Sequence, residues 1–216
     1  MRGETRAAPG KSGRTLSAMT GGLLRKNTVL SGGLVISPIV FAATNGRNAL
    51  MLSFAFTAIT FVAVLIGSFI PRKLVYTLRI ILYTMIAAAV YIPAMMTLEL
   101  YFPDARTSLG IFLPLLITNA LIVSKTESRF YRQGKAEMLM DVVMYILGFD
   151  AAALLVGILR ELLANGTFFG IAVTLRANLP VLAYPFGGFL LLGLLAALHR
   201  VLVSGWSQDK DREEEA

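Results

Sequence analysis

Residues 108–125 read SLGIFLPLLITNALIVSK. The stretch is apolar enough to enter a membrane, yet Gly110, Pro114 and the pair Thr118–Asn119 interrupt it. A proline inside a helix removes a backbone donor and clashes with the preceding turn. In hydrocarbon the freed carbonyls have no water to turn to, so they must find partners inside protein or in a wet cavity.

A matching stretch lies upstream, GGLVISPIVFAATNGRN at 32–48. Both run Gly, short apolar stretch, Pro, second apolar stretch, Thr–Asn. A single proline kink packed against its neighbours needs no function. The same order at corresponding places in two halves points to a site at the membrane midplane between inverted repeats. The residues that would form it are Pro38, Thr44, Asn45, Pro114, Thr118 and Asn119.

Composition places the whole chain in a membrane. Of 216 residues, 56% are hydrophobic and 15% charged, against about 45–50% and 25% in soluble domains. The mean hydropathy is +0.70. Thr28–Gly46, Ala49–Ile70, Thr107–Ser124 and Ala177–Leu198 carry no Asp, Glu, Lys or Arg, while Leu74–Leu98 and Met138–Leu159 carry one and two. A helix needs about 20 apolar residues to span the bilayer core. The expectation is all-α: six transmembrane helices as two inverted three-helix repeats, each opening with a broken helix. The expected membrane domain covers 28–204, with halves at about 28–98 and 107–204. Residues 1–27 read as a basic disordered cytoplasmic tail without a signal peptide, and 205–216 as a charged cytoplasmic tail.

Basic residues set the orientation. With the N-terminus inside, fifteen of the 20 Lys and Arg fall on the inner side, and the outer loops keep Arg47, Arg106 and Arg176. The positive-inside rule then gives N-in, C-in. The net charge of +7 is thereby explained without nucleic acid.

The segment after ANG at 164–166 is too short to span and predicts a partly embedded outer loop, with the last helix starting near Pro180. Asp150 sits inside the fifth segment, where a carboxylate costs about 2.5–3.5 kcal/mol on insertion scales. Asp150 and Glu161 share one helical face, about 16 Å apart along the axis. One reading makes them part of a proton or cation path. The other pairs Asp150 with a donor on a neighbouring helix and leaves Glu161 at the outer interface beside Arg160. Asp141 reads as a helix-start carboxylate, and His199 as interfacial.

Three stretches together resemble a known family. KNTVLSGGLVISPIVFAATNGRNAL (26–50), SLGIFLPLLITNALIVSK with TESRF after it (108–130), and RELLANGTFFG (160–170) are similar to the Rnf/Nqr integral-membrane subunits, in the RnfE/NqrD branch. The likeness covers about residues 23–200. It implies a homologous partner of inverted topology (RnfA/NqrE-like) in a bacterial or archaeal inner-membrane complex. Such complexes couple electron transfer between ferredoxin or NADH and NAD or quinone to Na⁺ or H⁺ transport, with flavins and iron–sulfur clusters in partner subunits.

It also implies two cysteines from each of the paired subunits, together holding one cluster. Here those positions are Ser37 and Ala120, and the sequence has no cysteine at all. Asp150, where a small or hydroxyl residue is expected, and the basic N-terminal tail are further departures. No cofactor is therefore expected on this chain's own side chains, and the chain alone is not expected to be a complete enzyme. The leading expectation is a membrane subunit of an electron-transport complex. The alternative is a metal-free membrane scaffold or small-molecule transporter reusing the inverted-repeat fold.

Overall fold

In the computed structural model, residues 36–71, 74–118, 135–173 and 179–214 are described, with side chains from 139 in the third stretch and up to 201 in the last. The apolar run after Asn45 forms α2 (Gly46–Gly67) because the cap and the small residues suit it. Asn45 is extended (φ −146°, ψ 169°) and its side chain accepts from the Asn48 amide, satisfying one of the donors a helix start leaves open. The preceding helix, α1 (Ile36–Ala42), holds Pro38. The interruption between them falls at Ala43–Asn45, five to seven residues beyond the proline. What breaks the chain is thus the Thr44–Asn45 cap. Asn48 Nδ2 also donates to Thr44 Oγ1 at 3.0 Å.

Next come α3 (Tyr76–Tyr101), which contains Pro93, α4 (Ala105–Leu109) and α5 (Phe112–Leu115), followed by a 3₁₀ turn at Leu116–Thr118. The stretch 108–118 is accordingly short pieces, not one helix. Gly110 ends α4 at φ +53°, a conformation that costs glycine little, and Pro114 lies within α5.

A long helix, α6 (Lys135–Arg160), runs into a π-helical turn at Glu161–Asn165. Residues Thr167–Phe168 (β1) and Ile171–Ala172 (β2) pair antiparallel, a small hairpin in an otherwise helical chain where the sequence implied only a loop. A 3₁₀ turn at Pro180–Ala183 precedes the last helix, α7 (Pro185–Glu214). It begins a turn later than the sequence implied, because Pro180 opens the 3₁₀ turn and Pro185 opens the helix. Among the described residues, three helical stretches are long and apolar enough to cross a membrane: Gly46–Gly67, Tyr76–Tyr101 and Leu139–Asn165.

The core lies where α6 packs on α2. Helices in lipid gain little from hydrophobic burial and associate by close van der Waals packing, which favours small residues at the seam. Gly46, Ala49, Ser53, Phe56, Thr60, Ala63 and Gly67 are all buried along one stripe of α2. Opposite them, Phe149 stacks on Phe56 with ring centroids 3.7 Å apart. Near the end of α6, a Cβ on Gly157 would lie 2.6 Å from the Ala49 Cβ and 2.8 Å from the Asn45 carbonyl oxygen. Gly157→Ala is therefore expected to force the helices apart and cost about 1–3 kcal/mol. Thermal unfolding in mild detergent measures this, with Gly193→Ala, where a Cβ meets nothing within 4 Å, expected to melt like the parent.

Candidate functional site at the broken helices

The break in the first helix presents two charged ends of opposite sense. Carbonyls at the end of α1 carry partial negative charge, and amides at the start of α2 carry partial positive charge. The adjacent residues Arg160 and Glu161, at the end of α6, meet one end each. Both are buried, Arg160 at 0% exposure and Glu161 at 3%.

Arg160 lies in a cage of carbonyls. Its Nη1 donates to Val40 O at 2.6 Å and to Ala43 O at 3.1 Å, closing the end of α1. Its Nε donates to Leu182 O at 2.9 Å, and Nη2 donates to Ala183 O at 2.9 Å and Tyr184 O at 3.3 Å. One planar guanidinium thereby ties the first broken helix to the turn before α7, a task suited to its fixed fork of donors. Gly188 leaves the space: a Cβ there would stand 3.1 Å from Val40 O and 3.2 Å from Arg160 Nη1.

Glu161 does the complementary work. Its Oε2 accepts from the Gly46 amide at 2.8 Å, the first residue of α2. Its Oε1 accepts from the Gly170 amide at 2.7 Å and from Thr167 Oγ1 at 3.1 Å. The hairpin supplies those donors by turning tightly at Phe169 (φ 50°) and Gly170 (φ 82°), the positive-φ pair that two-residue hairpin loops favour. The Gly46 amide and the Val40 and Ala43 carbonyls at the break are thus met by this chain's own side chains.

The other proline-bearing element is brought alongside. Phe41 of α1 stacks on Phe112 of α5 with centroids 5.3 Å apart and planes 7° apart, and Phe189 of α7 meets Phe41 edge-on at 6.0 Å. Ser37 is exposed one turn before Phe41 on α1. Thr118 Oγ1 donates back to Leu115 O at 3.1 Å. Asn119 and Ala120 lie outside the described residues. So Pro38 and Pro114 sit on elements that touch, while Thr44 and Asn45 face the cap of α2 rather than α5.

A cluster of the kind the likeness implies does not fit this chain's donors. Iron–sulfur clusters are held by thiolates, with histidine as the documented replacement. The sequence has no cysteine, and the positions at which the resemblance implies thiolates carry Ser37 and Ala120. Among the described residues, no three His, Asp or Glu side chains come together as a metal site.

Asp150 is half-buried on α6 and pairs with a neighbouring helix: Thr57 Oγ1 of α2 donates to its Oδ2 at 2.8 Å. Asp150 and Glu161 are thus set in different surroundings, one against α2 hydroxyls and one wrapped by the break. Asp141 is in the second turn of α6, past the first turn where the dipole effect is concentrated. His199 is part-buried on α7. The partners of Arg160 and Glu161 escaped sequence reading. The available signal was an adjacent pair of opposite charges closing an apolar run, just before a turn-forming ANG.

These features define a helical protein with three membrane-length apolar helices among the described residues and a helix interruption at Ala43–Asn45. The pattern of a family described as "Rnf-Nqr subunit, membrane protein" matches residues 15–196. The chain is 34% identical over 193 residues to the E subunit of the ion-translocating oxidoreductase complex of Buchnera aphidicola from Acyrthosiphon pisum (strain 5A), covering 82% of this chain and 84% of that one. It is 32% identical over 187 residues to the E subunit of the Na⁺-translocating ferredoxin:NAD⁺ oxidoreductase complex of Acetobacterium woodii, covering 83% and 93%. The E subunit of the ion-translocating complex of Shewanella frigidimarina is 32% identical over 202 residues, covering 85% and 86%. The chain belongs to the Rnf-Nqr family of membrane subunits.

Proposed function

We propose that this chain is the E-type membrane component of an ion-translocating oxidoreductase complex, contributing scaffold and ion path but no iron–sulfur ligand of its own. The supporting observation is the pairing of the two proline-bearing elements at Phe41 and Phe112 in a chain whose relatives are named as the E component of such complexes. In this reading the membrane domain spans 28–204 as two inverted halves of three segments in the inner membrane. Both tails are cytoplasmic, and a homologous subunit of opposite topology covers the face that carries Ser37. Redox cofactors sit in the partner subunits. Of the two carboxylates in the ion-path reading, Asp150 has an oxygen to spare, whereas both oxygens of Glu161 are engaged.

The test is a deletion strain of the native host. Inverted membrane vesicles lacking the chain are expected to lose redox-driven Na⁺ or H⁺ uptake and to regain it on complementation. Undiminished uptake would contradict the proposal. The missing thiolates favour a second reading, a metal-free scaffold or small-molecule transporter. It predicts vesicles whose redox-driven uptake survives deletion.

Orientation is tested separately. Arg47 pairs with Asp104 at 2.7 Å and Arg106 with Glu99 at 2.7 Å, which places the start of α2 and the end of α3 on one side. With no native cysteine, Arg47→Cys and Arg106→Cys each give a single labelling site. Both are expected to react with a membrane-impermeant maleimide from the outer side, and reaction only from the cytoplasm would overturn N-in, C-in.

A further inference from the structure

We propose that Asp150, with Thr57 and Ser53, is a proton-binding site inside the membrane span, where the carboxyl group takes up and releases one proton. The inference rests on the ion-translocating reading for its use, although its existence can be tested without it.

Three polar groups meet where α2 packs on α6. Asp150 Oδ2 accepts from Thr57 Oγ1 at 2.8 Å. Asp150 Oδ1 is buried and has no hydrogen-bond partner, and the same is true of Ser53 Oγ. Ser53 is 6% exposed and lies one turn before Thr57, on the same face of α2. It is close enough to Asp150 to interact with it, although not at hydrogen-bonding geometry.

A buried polar atom without a partner is costly, and a buried unpaired charge more so. Ser53 Oγ–H donating to Oδ1 would satisfy both atoms, but it would leave the charge itself buried without a cation. A proton on Asp150 Oδ1 removes the charge and turns that oxygen into a donor, and Ser53 Oγ is the adjacent acceptor. Thr57 continues to donate to Oδ2, and no third group is needed.

Among the described residues, no cationic side chain competes for the role. The charged and titratable groups with described side chains on the elements packed against α6 are few. On α2, Arg47 is tied to Asp104 at the helix start, and α1 has none. On α7 they are His199 and Arg200, at the far end. On the α6 segment itself, Asp141 and Tyr145 lie below Asp150, Arg160 is caged by carbonyls, and Glu161 is held by three donors. Among the described residues, no ion pair involves Asp150.

A dehydrated metal cation fits less well. Hard cations collect about six or more oxygens. Here one carboxylate and two hydroxyls are offered, and the surrounding carbonyls are committed to the helical bonds of α2 and α6.

The experiment uses native membranes holding the full complex and dicyclohexylcarbodiimide, which reacts with protonated carboxyls in an apolar setting. Peptide mass spectrometry maps the label. Labelling of Asp150 is expected to rise as pH falls, along a one-proton curve, and to be unchanged by Na⁺. Asp150→Asn gives the background. Thr57→Val removes the donor that favours the ionised form, so labelling on the alkaline side of the curve is expected to rise about tenfold, equivalent to one pH unit. Absence of label at Asp150, labelling independent of pH, or protection by Na⁺ would each overturn the proposal. None of these readouts requires electron transfer, so a failure of the complex assignment would leave them intact.

Discussion

Arg160→Ala is expected to be the most damaging single substitution in the described part of the chain, costing on the order of 3–5 kcal/mol, as several buried carbonyls lose a donor at about 1–3 kcal/mol each. The side chain is 0% exposed and donates to five carbonyl oxygens, at Val40, Ala43, Leu182, Ala183 and Tyr184. Truncation takes a donor from each of those carbonyls, of which Tyr184 O keeps the Gly188 amide, in a region that lipid cannot satisfy. It also removes the side chain whose hydrogen bonds join the end of α1 to the turn before α7. Arg160→Lys keeps the charge but has three donors on a point-like head, so an intermediate loss is expected. The readout is the melting temperature in mild detergent together with the amount of protein reaching the membrane. Arg200→Ala, on the exposed face of α7, serves as the control and is expected to stay within about 0.5 kcal/mol of the parent. An Arg160→Ala protein that melts with the control would mean that the cage contributes little.

Glu161→Gln is the second large effect, about 2–3 kcal/mol, as expected when hydrogen bonds to a buried charged group are spoiled. The variant keeps shape and one acceptor oxygen. Its amide nitrogen must face either the Gly46 amide or the Gly170 amide and Thr167 hydroxyl, donor against donor. The damage has a local signature. Hydrogen exchange at the first turn of α2, residues 46–49, is expected to speed up, because the carboxylate that holds the Gly46 amide is gone. Faster exchange confined to the hairpin at 167–172 would show that Glu161 serves the hairpin and not the helix start.

Large features of the fold were legible because they depend on composition. Long apolar runs such as Ala49–Ile70 became spanning-length helices, and Gly110 with Pro114 did mark a stretch that is not one helix. The position of the first break was less legible. Pro38 drew attention as the breaker, yet the chain is helical beyond it to Ala42, and Asn45 caps the next helix. Asn before a long apolar run is itself a helix-start signal. The two Thr–Asn pairs looked equivalent in sequence because order alone was compared; the pair at 44–45 caps α2, while Thr118 bonds within its own turn. Arg160 and Glu161 looked like interfacial charges because sequence position shows nearness to a helix end, not what surrounds that end. Their partners at the break, Gly46, Ala43 and Val40, lie 115–120 positions away along the chain, which no local pattern reveals. Asp150 was recognisable as out of place in an apolar helix, while Ser53 and Thr57, at i and i+4 on another apolar run, became meaningful only when α2 and α6 were brought together.

The central claim is that the chain serves an ion-translocating redox complex while binding no iron–sulfur cluster through its own side chains. Mild-detergent purification through a tag on this chain tests it most directly, with identification of the co-purifying proteins, iron analysis and electron paramagnetic resonance on the same sample. The account predicts co-purification with a homologous membrane subunit and redox subunits. It also predicts that Ser37→Ala leaves both the iron content and the spectrum unchanged. An active complex containing this chain alone, or a cluster signal that disappears with Ser37→Ala, would contradict it.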